Sequence, residues 1–265
     1  MEDLILIKLG GSLITDKSKP YTPKPEIIER LAREIYEAKK ESGAKVIVGH
    51  GGGSFPHQSA HRYQTQHGVK NEESYRGIAE VQNDAARLNR IFVQALLDVG
   101  EKPFNIMPSA SCIAEGKKIT EWYTKPIEKA LEYDMITVPY GDVGLDLAQG
   151  CCIISTEEIL RFLGIKLGAK KIIFCGNVSG VFRADPIVNP DAKLIPEITK
   201  KNFDEIKKCL SGSDNIDVTG GMIHKVEQAL ELAENGIKTQ IISGLKEDNL
   251  KRAILGEEGL GTTIK

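Results

Sequence analysis

A run of three glycines soon after a short β-branched stretch is the feature that most constrains this chain. Residues 46–48 (VIV) predict a buried strand, and the triple glycine occupies positions 51–53. Glycine loses the most conformational freedom on ordering, so three in succession extend a strand poorly. Their bare N–H groups can instead surround an anion, and the nearby His57 can donate to a phosphate oxygen. Taken alone, the pattern fits a phosphate-binding turn and an ordinary glycine turn beside a surface histidine equally well.

The composition of the 265 residues is that of a globular α/β chain and excludes several function classes. Hydrophobic residues make up 41% and charged residues 27%, which suits a sizeable core and argues against disorder. The net charge of −2 offers no basic field to nucleic acid, and no apolar run is long enough to span a membrane. Five cysteines without a CxxC pair predict reduced thiols, and the polar N-terminus does not resemble a signal peptide. We therefore expect a cytoplasmic protein with no nucleic-acid partner, no membrane partner and no metal site of its own.

Strand-like and helix-like segments alternate along nearly the whole chain. The predicted strands are 4–9, 46–48, 104–108, 119–120, 135–139, 152–155, 171–175, 239–243 and 261–264, with 145–151 as a hairpin partner of 152–155. The predicted helices are 26–42, 72–99, 126–133, 156–167, 202–210, 222–235 and 245–255. Such alternation predicts an α/β fold, a three-layer αβα sandwich around an open, mostly parallel sheet. We expect these elements to form one domain over residues 1–265.

Glycines cluster where several of these strands end, namely Gly10, Gly11, the triple glycine, Gly141, Gly176 and Gly180. In parallel sheets ligands bind beyond the carboxyl ends of the strands, so these turns mark the expected site. The chain has no Walker A motif, no Rossmann glycine motif with its acid, no HExxH motif and no GxSxG elbow. The turns therefore belong to none of these common site classes.

Lysines stand beside the glycine turns. Lys8 precedes the first glycine pair and Lys17 follows it. Lys225 lies one turn into a helix that we predict to begin at the glycine pair 220–221. Ammonium groups and bare amides around one cleft suit phosphoryl transfer, which needs positive charge and donors over the transferring group. A strand-end lysine seen alone is usually a surface charge, and Asp142 could simply cap a turn, so only the combination favours this chemistry.

Four segments together carry a family resemblance. They are KLGGSLIT with Lys17 behind it, HGGGSFPH, YGDVGLD, and DVTGGM with Lys225 behind it, and they resemble the amino acid kinase superfamily. Within it they are most similar to the isopentenyl phosphate kinases. The resemblance implies an enzyme that uses ATP, with Mg²⁺ carried by the nucleotide, to convert isopentenyl phosphate to isopentenyl diphosphate in isoprenoid precursor synthesis. It also implies a homodimer, to whose interface the long helix 72–99 is a candidate contributor.

The resemblance implies an acceptor-binding lobe at about 1–168 and a nucleotide-binding lobe at about 169–265, and a role for each candidate site residue. Lys17 would stabilise charge on the transferring phosphoryl group, and Lys8 and His57 would complete the catalytic set. The residues implied to bind the acceptor are Gly51, Gly52, His57, Asp142 and Thr156. The residues implied to bind the nucleotide are Lys8, Gly10, Gly11, Ser12, Gly52, Gly53, Asn177, Gly180, Gly220, Gly221 and Lys225. The acceptor is already an anion, so the site needs no general base and must instead hold two repelling phosphates in line.

Two other functions remain open on the sequence. A kinase for another small phosphate or phosphonate, such as a fosfomycin-type kinase, also resembles the GGG-SF-H turn. A non-catalytic, ligand-binding member of the fold is suggested by changes in the nucleotide segment, although the retained lysines argue against it. A panel of acceptors and a measurement of ATP–Mg²⁺ binding separate the three.

Three departures from the family pattern bear on the expected site. Pro56 stands in place of a glycine and removes one N–H donor from the turn. The usual Ser-Gly-Asp is STE at 155–157, and the usual Thr-Asp-Val-Asp-Gly is altered to CGNVSG at 175–180. We therefore expect two carboxylates to be missing near the adenosine, with an effect on nucleotide and substrate choice. The depth of the acceptor pocket is expected to depend on Val81, Leu88 and Ile91.

Overall fold

The computed structural model describes residues 3–184, 186, 188–211 and 216–265. In this part of the chain the strands are β1 (Leu4–Leu9), β2 (Lys45–His50), β3 (Pro103–Asn105), β4 (Cys112–Glu115), β5 (Lys118–Trp122), β6 (Ile136–Val138), β7 (Asp142–Asp146), β8 (Gly150–Ile154), β9 (Lys171–Gly176), β10 (Val181–Phe182), β11 (Leu194–Ile195), β12 (Glu197–Ile198), β13 (Lys238–Ser243) and β14 (Gly261–Ile264). The α-helices are α1 (Gly11–Ile14), α2 (Pro25–Ser42), α3 (Pro56–Tyr63), α4 (Glu72–Asp98), α5 (Lys125–Glu132), α6 (Thr156–Leu167), α7 (Lys200–Ser211), α8 (Ile216–Glu234) and α9 (Asn249–Ile254).

The main sheet has eight strands in the order β12-β14-β13-β9-β1-β2-β6-β3. All neighbours from β13 to β3 are parallel, and β14 runs antiparallel to β13. β1 lies at the centre, where it pairs with β2 on one side and β9 on the other. Strands from both halves of the sequence therefore form one continuous sheet.

Helices cover both faces of this sheet, because side chains along each strand point alternately to the two faces. On β1, Leu4 and Leu6 pack with residues of α6 and α8, whereas Ile5, Ile7 and Leu9 pack with residues of α2, α4 and α9. These two apolar clusters are the core of the protein. The prediction of a three-layer αβα sandwich around a mostly parallel sheet is confirmed.

A smaller sheet with the order β5-β4-β7-β8 stands beside the main one. The predicted hairpin is present, but its first strand begins at Asp142, and the turn lies between β7 and β8. The strand at 112–115 has no counterpart in the sequence prediction, because a run of four residues is too short to carry a clear periodicity. Among the described residues, no helix combines the length and apolar character needed to cross a bilayer.

The largest difference from prediction concerns α8. It begins at Ile216, so the glycine pair 220–221 lies inside the helix and does not form its N-terminus. Two interior glycines cost a helix about 2 kcal/mol relative to alanine. Burial of Val226, Ala229 and Leu230 on the core side of α8 outweighs that cost. Lys225 is thus well inside the helix, rather than one turn from its start.

Candidate active site

The carboxyl ends of the three central strands meet at one edge of the main sheet. Leu9 is aligned with His50 on β2 and with Cys175 on β9, so the glycine turns that follow these strands are neighbours. A cavity of about 700 Å³ opens above them. This is the position at which parallel α/β sheets bind ligands.

Most of the residues predicted from the sequence line this cavity. They are Lys8, Gly10, Gly11, Ser12, Lys17, Gly51, Gly52, Gly53, His57, Asp142, Thr156, Asn177 and Lys225. Gly180 and Gly221 are not in its lining, and only the helical backbone of Gly220 is described. Gly180 has a packing role instead, since a Cβ there would lie 2.5 Å from the Thr262 Oγ1 atom on β14.

The first two glycine turns are pressed directly against each other. A Cβ on Gly11 would lie 2.5 Å from the Gly53 nitrogen, so neither turn leaves room for a side chain at this contact. The Thr15 hydroxyl donates to the Gly11 carbonyl at 2.8 Å and accepts from the Ser54 amide at 2.9 Å. No described protein group accepts a hydrogen bond from the Gly52 or Gly53 amides, which leaves these donors available to an anion.

Pro56 is the first residue of α3, a position at which a backbone N–H has no partner within the helix. Its ring occupies the space above Gly52, where a Cβ would lie 2.3 Å from the Pro56 Cγ atom. His57 is the next residue and extends into the cavity. Its pKa is lowered by partial enclosure in protein and by the nearby charge of Lys17. A neutral His57 ring retains an N–H donor for a phosphate oxygen.

Positive charge is concentrated in the same cavity, at Lys8, Lys17 and Lys225. The Lys8 Nζ atom lies 2.7 Å from a Glu157 carboxylate oxygen, and both side chains are largely buried. Burial would raise the pKa of Glu157, but the charge and hydrogen bond of Lys8 and the charge of Lys225 lower it overall, so the carboxylate is ionised. The pKa of Lys225 is lowered by burial and by the charges of Lys8 and Lys17. These mutually repelling ammonium groups form a field that an incoming polyphosphate would relieve.

Asp142 lies at the start of β7 and is 2% exposed. Its carboxylate accepts from the Ser109 hydroxyl at 2.6 Å, the Ser109 amide at 3.2 Å and the Val143 amide at 2.8 Å. Burial raises its pKa to about 6 despite these bonds. The sequence left open whether Asp142 organises the lysines or the substrate side. Its hydrogen bonds connect it to the Ser109 segment.

Two further predicted residues are tied into the scaffold. The Thr156 hydroxyl donates to the His50 carbonyl at 2.7 Å and joins the start of α6 to the end of β2. The Asn177 side-chain amide donates to the Ser12 carbonyl at 3.3 Å and joins the turns after β9 and β1. Each can shape the cavity through its position while its polar group is engaged with protein.

Glu157 stands where the family pattern has an aspartate, so this position keeps a carboxylate, and it pairs with Lys8. The two carboxylates expected to be missing near the adenosine are at Asn177 and Ser179, which carry an amide and a hydroxyl instead. For the acceptor pocket, Val81 lines the cavity as predicted, whereas Leu88 is buried in the core. Sequence reasoning did not find Ala60 and Ile153, which line the same end of the cavity. Their small or apolar side chains carry no signal that separates them from core residues.

Comparison with known proteins identifies the family. The model of the amino acid kinase family matches residues 3–243. Isopentenyl phosphate kinases of Methanothermobacter thermautotrophicus and Methanocaldococcus jannaschii are 36% and 34% identical to this chain, over 98% and 96% of both sequences. An X-ray structure of isopentenyl phosphate kinase superposes with a TM-score of 0.84 at 32% identity, covering 98% of this chain and 100% of the other. The resemblance found in the sequence motifs is confirmed: this chain belongs to the amino acid kinase family.

Proposed function

We propose that this protein is a phosphotransferase that converts ATP and isopentenyl phosphate to ADP and isopentenyl diphosphate. The observation that carries the proposal is that His57, beside the triple-glycine turn, shares one cavity with Lys8, Lys17 and Lys225. A histidine donor at this position suits an acceptor that is itself a phosphate. Relatives named isopentenyl phosphate kinase match nearly the whole chain, which supports the same acceptor.

The nucleotide is assigned to the side of the cavity that carries Lys8 and Lys225. The turn after β1 would contact the ATP phosphates through the amides of Gly11 and Ser12, and Asn177 would border the nucleotide. The groups on this side of the cavity fit a nucleotide that carries Mg²⁺. They are cationic side chains and amide donors, which do not bind a metal ion, so the phosphate oxygens would be the ligands of Mg²⁺. Bound in this way, Mg²⁺ would neutralise charge on the phosphates. The described residues include no group of three or more metal-ligating side chains.

The acceptor is assigned to the side formed by residues before 168. Its phosphate would bind the Gly52 and Gly53 amides and His57, and its hydrocarbon tail would extend along Ala60, Val81 and Ile153. The apolar lining suits a tail without hydrogen-bonding groups. We therefore propose residues 1–168 as the acceptor lobe and 169–265 as the nucleotide lobe, with Lys8 and the turn after β1 reaching across to the nucleotide.

The chemistry follows from this arrangement. An oxygen of the acceptor phosphate attacks the γ-phosphorus of ATP, and the bond from that phosphorus to the β,γ-bridging oxygen breaks to release ADP. The attacking oxygen is already anionic, so the protein need not remove a proton. Lys17 would stabilise the charge on the transferring group, while the glycine turns hold the two phosphates in line.

Two features of the cellular protein are also part of the proposal. We place it in the cytoplasm, because its substrates are small and charged and because Cys112, Cys151, Cys152 and Cys175 are free thiols. We further propose a homodimer in which α4 contributes to the interface. On this helix the Tyr75 side chain is more than half exposed and the Leu97 side chain is about half exposed. Light scattering after size-exclusion chromatography measures the oligomeric state directly.

An acceptor panel tests the reaction. Purified protein with ATP and Mg²⁺ should form a diphosphate product from isopentenyl phosphate, detected by ³¹P NMR. Dimethylallyl phosphate, fosfomycin and N-acetylglutamate serve as comparison acceptors. Turnover of fosfomycin alone would assign the site to a phosphonate kinase. Calorimetry that detected no ATP–Mg²⁺ binding would instead indicate a non-catalytic member of the fold.

A further inference from the structure

The segment that carries Lys17 is closed into a tight loop between α1 and α2. The Asp16 amide donates to the Thr22 carbonyl at 2.9 Å, and the Lys24 amide donates to the Ile14 carbonyl at 2.8 Å. The base of the loop is therefore fixed to its own ends. Lys17 itself lies in the exposed part of the loop, so something else must determine how that part sits over the cavity.

Tyr21 connects the loop to the triple-glycine turn. Its amide donates to the Ser54 carbonyl at 3.2 Å, and its ring meets the Phe55 ring edge-on with centroids 5.7 Å apart. Tyr21 has a φ of 50°, a left-handed conformation that a bulky residue adopts only where its surroundings impose it. The tyrosine is therefore held in place by specific contacts.

The same side chain also connects the loop to α4. The Tyr21 hydroxyl donates to the Asp84 Oδ2 atom at 2.9 Å, and the Arg87 guanidinium lies 4.6 Å from the ring centroid. Arg87 pairs with Asp84 at 3.4 Å, so carboxylate, guanidinium and phenol support one another. Asp84 is 5% exposed, and losing the phenol would leave part of its hydrogen-bonding capacity unfilled. Partial burial and the Asp84 bond raise the pKa of Tyr21, which keeps the hydroxyl protonated as a donor.

We propose that Tyr21, Asp84 and Arg87 form a positioning cluster that holds the Lys17 loop in register with the triple-glycine turn, so that Lys17 meets the transferring phosphoryl group. The inference rests on the proposed phosphotransferase function. None of the three residues lines the cavity, so they act through Lys17 and not on the substrates. The cluster joins two separate parts of the chain, the Lys17 loop and helix α4, so no local sequence motif contains all three residues.

A double-mutant cycle tests this coupling. Tyr21→Phe removes the hydroxyl and keeps the ring, and kcat should fall about 10-fold, as expected for a lost hydrogen bond to a charged group. The KM values for ATP and for the acceptor should change by less than about 2-fold, because neither binding surface is altered. In a Lys17→Ala background the same substitution should change kcat by less than about 2-fold, since the group being positioned is already absent.

Tyr63→Phe is a matched control. The Tyr63 hydroxyl also donates to a carboxylate on α4, the Glu80 Oε1 atom, at 3.1 Å, but Tyr63 lies on α3 and outside the Lys17 loop. It should leave kcat unchanged. Equal losses of kcat from Tyr21→Phe in the wild-type and Lys17→Ala backgrounds would overturn the proposal, and so would equal losses from Tyr21→Phe and Tyr63→Phe.

A measurement independent of turnover separates this inference from the proposed function. Amide hydrogen exchange of residues 16–22 in the free protein should accelerate in Tyr21→Phe and stay at the wild-type rate in Tyr63→Phe. Unchanged exchange in Tyr21→Phe would refute the positioning role, whatever the enzyme's activity. Accelerated exchange in a protein that does not phosphorylate isopentenyl phosphate would refute the proposed acceptor and leave the positioning of the loop standing.

Discussion

His50 and His57 flank the same triple glycine, yet the structure places them in opposite environments. His50 is 1% exposed and lies between the rings of Tyr140 and Phe92, with centroids 5.7 Å and 5.8 Å away. Its Nδ1 atom is 3.2 Å from the Gly51 carbonyl, a contact that requires an N–H at that position. The sequence predicted a donor histidine at 57 but could not predict the buried one, because the rings around His50 come from distant segments.

His57→Ala should weaken acceptor binding selectively. The lost hydrogen bond to a charged phosphate corresponds to about a 10- to 100-fold fall in kcat/KM for the acceptor, with ATP affinity unchanged. Steady-state kinetics and ATP calorimetry measure the two quantities. His57→Gln retains an N–H donor and should recover part of the loss. A collapse of ATP affinity with an unchanged acceptor KM would reverse the assignment of the two sides of the cavity.

The Lys8–Glu157 pair indicates what residue-level sequence reading can and cannot supply. Lys8 was found from its place beside a glycine turn, because residue type and spacing carry that signal. Glu157 was interpreted as a departure, since a family pattern counts residue types and not the reach of a side chain. The 2.7 Å contact depends on α6 starting just where it faces the end of β1, which only the folded structure provides.

At the scale of elements, the helices with clear capping residues at both ends were predictable. Helix α6 spans the predicted 156–167 because Ser155 caps its start and Gly168 its end. Helix α8 was predicted too short, since its glycine pair was interpreted as a boundary when it lies within the helix. Local signals thus fail where burial of one helix face outweighs an unfavourable propensity.

The contact between the turns after β1 and β2 makes a prediction about these elements. Gly11→Ala would place a Cβ 2.5 Å from the Gly53 nitrogen, so the two turns must separate. We expect a loss of about 1–3 kcal/mol in the free energy of unfolding, together with weaker ATP binding. Urea denaturation and calorimetry measure these effects.

Gly10→Ala is the matched control for stability. A Cβ on Gly10 would lie 3.4 Å from the Cys175 oxygen, an ordinary contact, and its φ of −63° is accessible to alanine. Its unfolding free energy should stay within about 0.5 kcal/mol of the wild-type value. Equal destabilisation by the two substitutions would contradict the tight packing of the turns.

At the scale of the whole molecule, two buried groups respond to acid in opposite directions. The pKa of His50 is lowered by burial to about 4, from 6.5. As pH falls from about 6.5 to 4, the unfolded chain takes up this proton and the folded chain does not, so stability is lost. Burial raises the pKa of Asp142 to about 6, from 3.8. As pH falls from about 6 to 4, the folded chain takes up this proton first, so stability is gained.

Each contribution amounts to about 3 kcal/mol at most, since one pKa unit corresponds to about 1.4 kcal/mol, and the two largely offset each other in the wild-type protein. Removing either side chain should therefore reveal the pH dependence of stability that the other one causes. Between pH 6.5 and 4, the unfolding free energy of Asp142→Asn should fall by up to about 3 kcal/mol more than that of the wild type, because His50 then acts unopposed. That of His50→Asn should rise relative to the wild type over the same interval. Urea denaturation at half-unit pH steps measures both slopes, and comparison with the wild type cancels the groups that all three proteins share. Parallel pH profiles for the three proteins would mean that folding shifts the pKa of neither His50 nor Asp142.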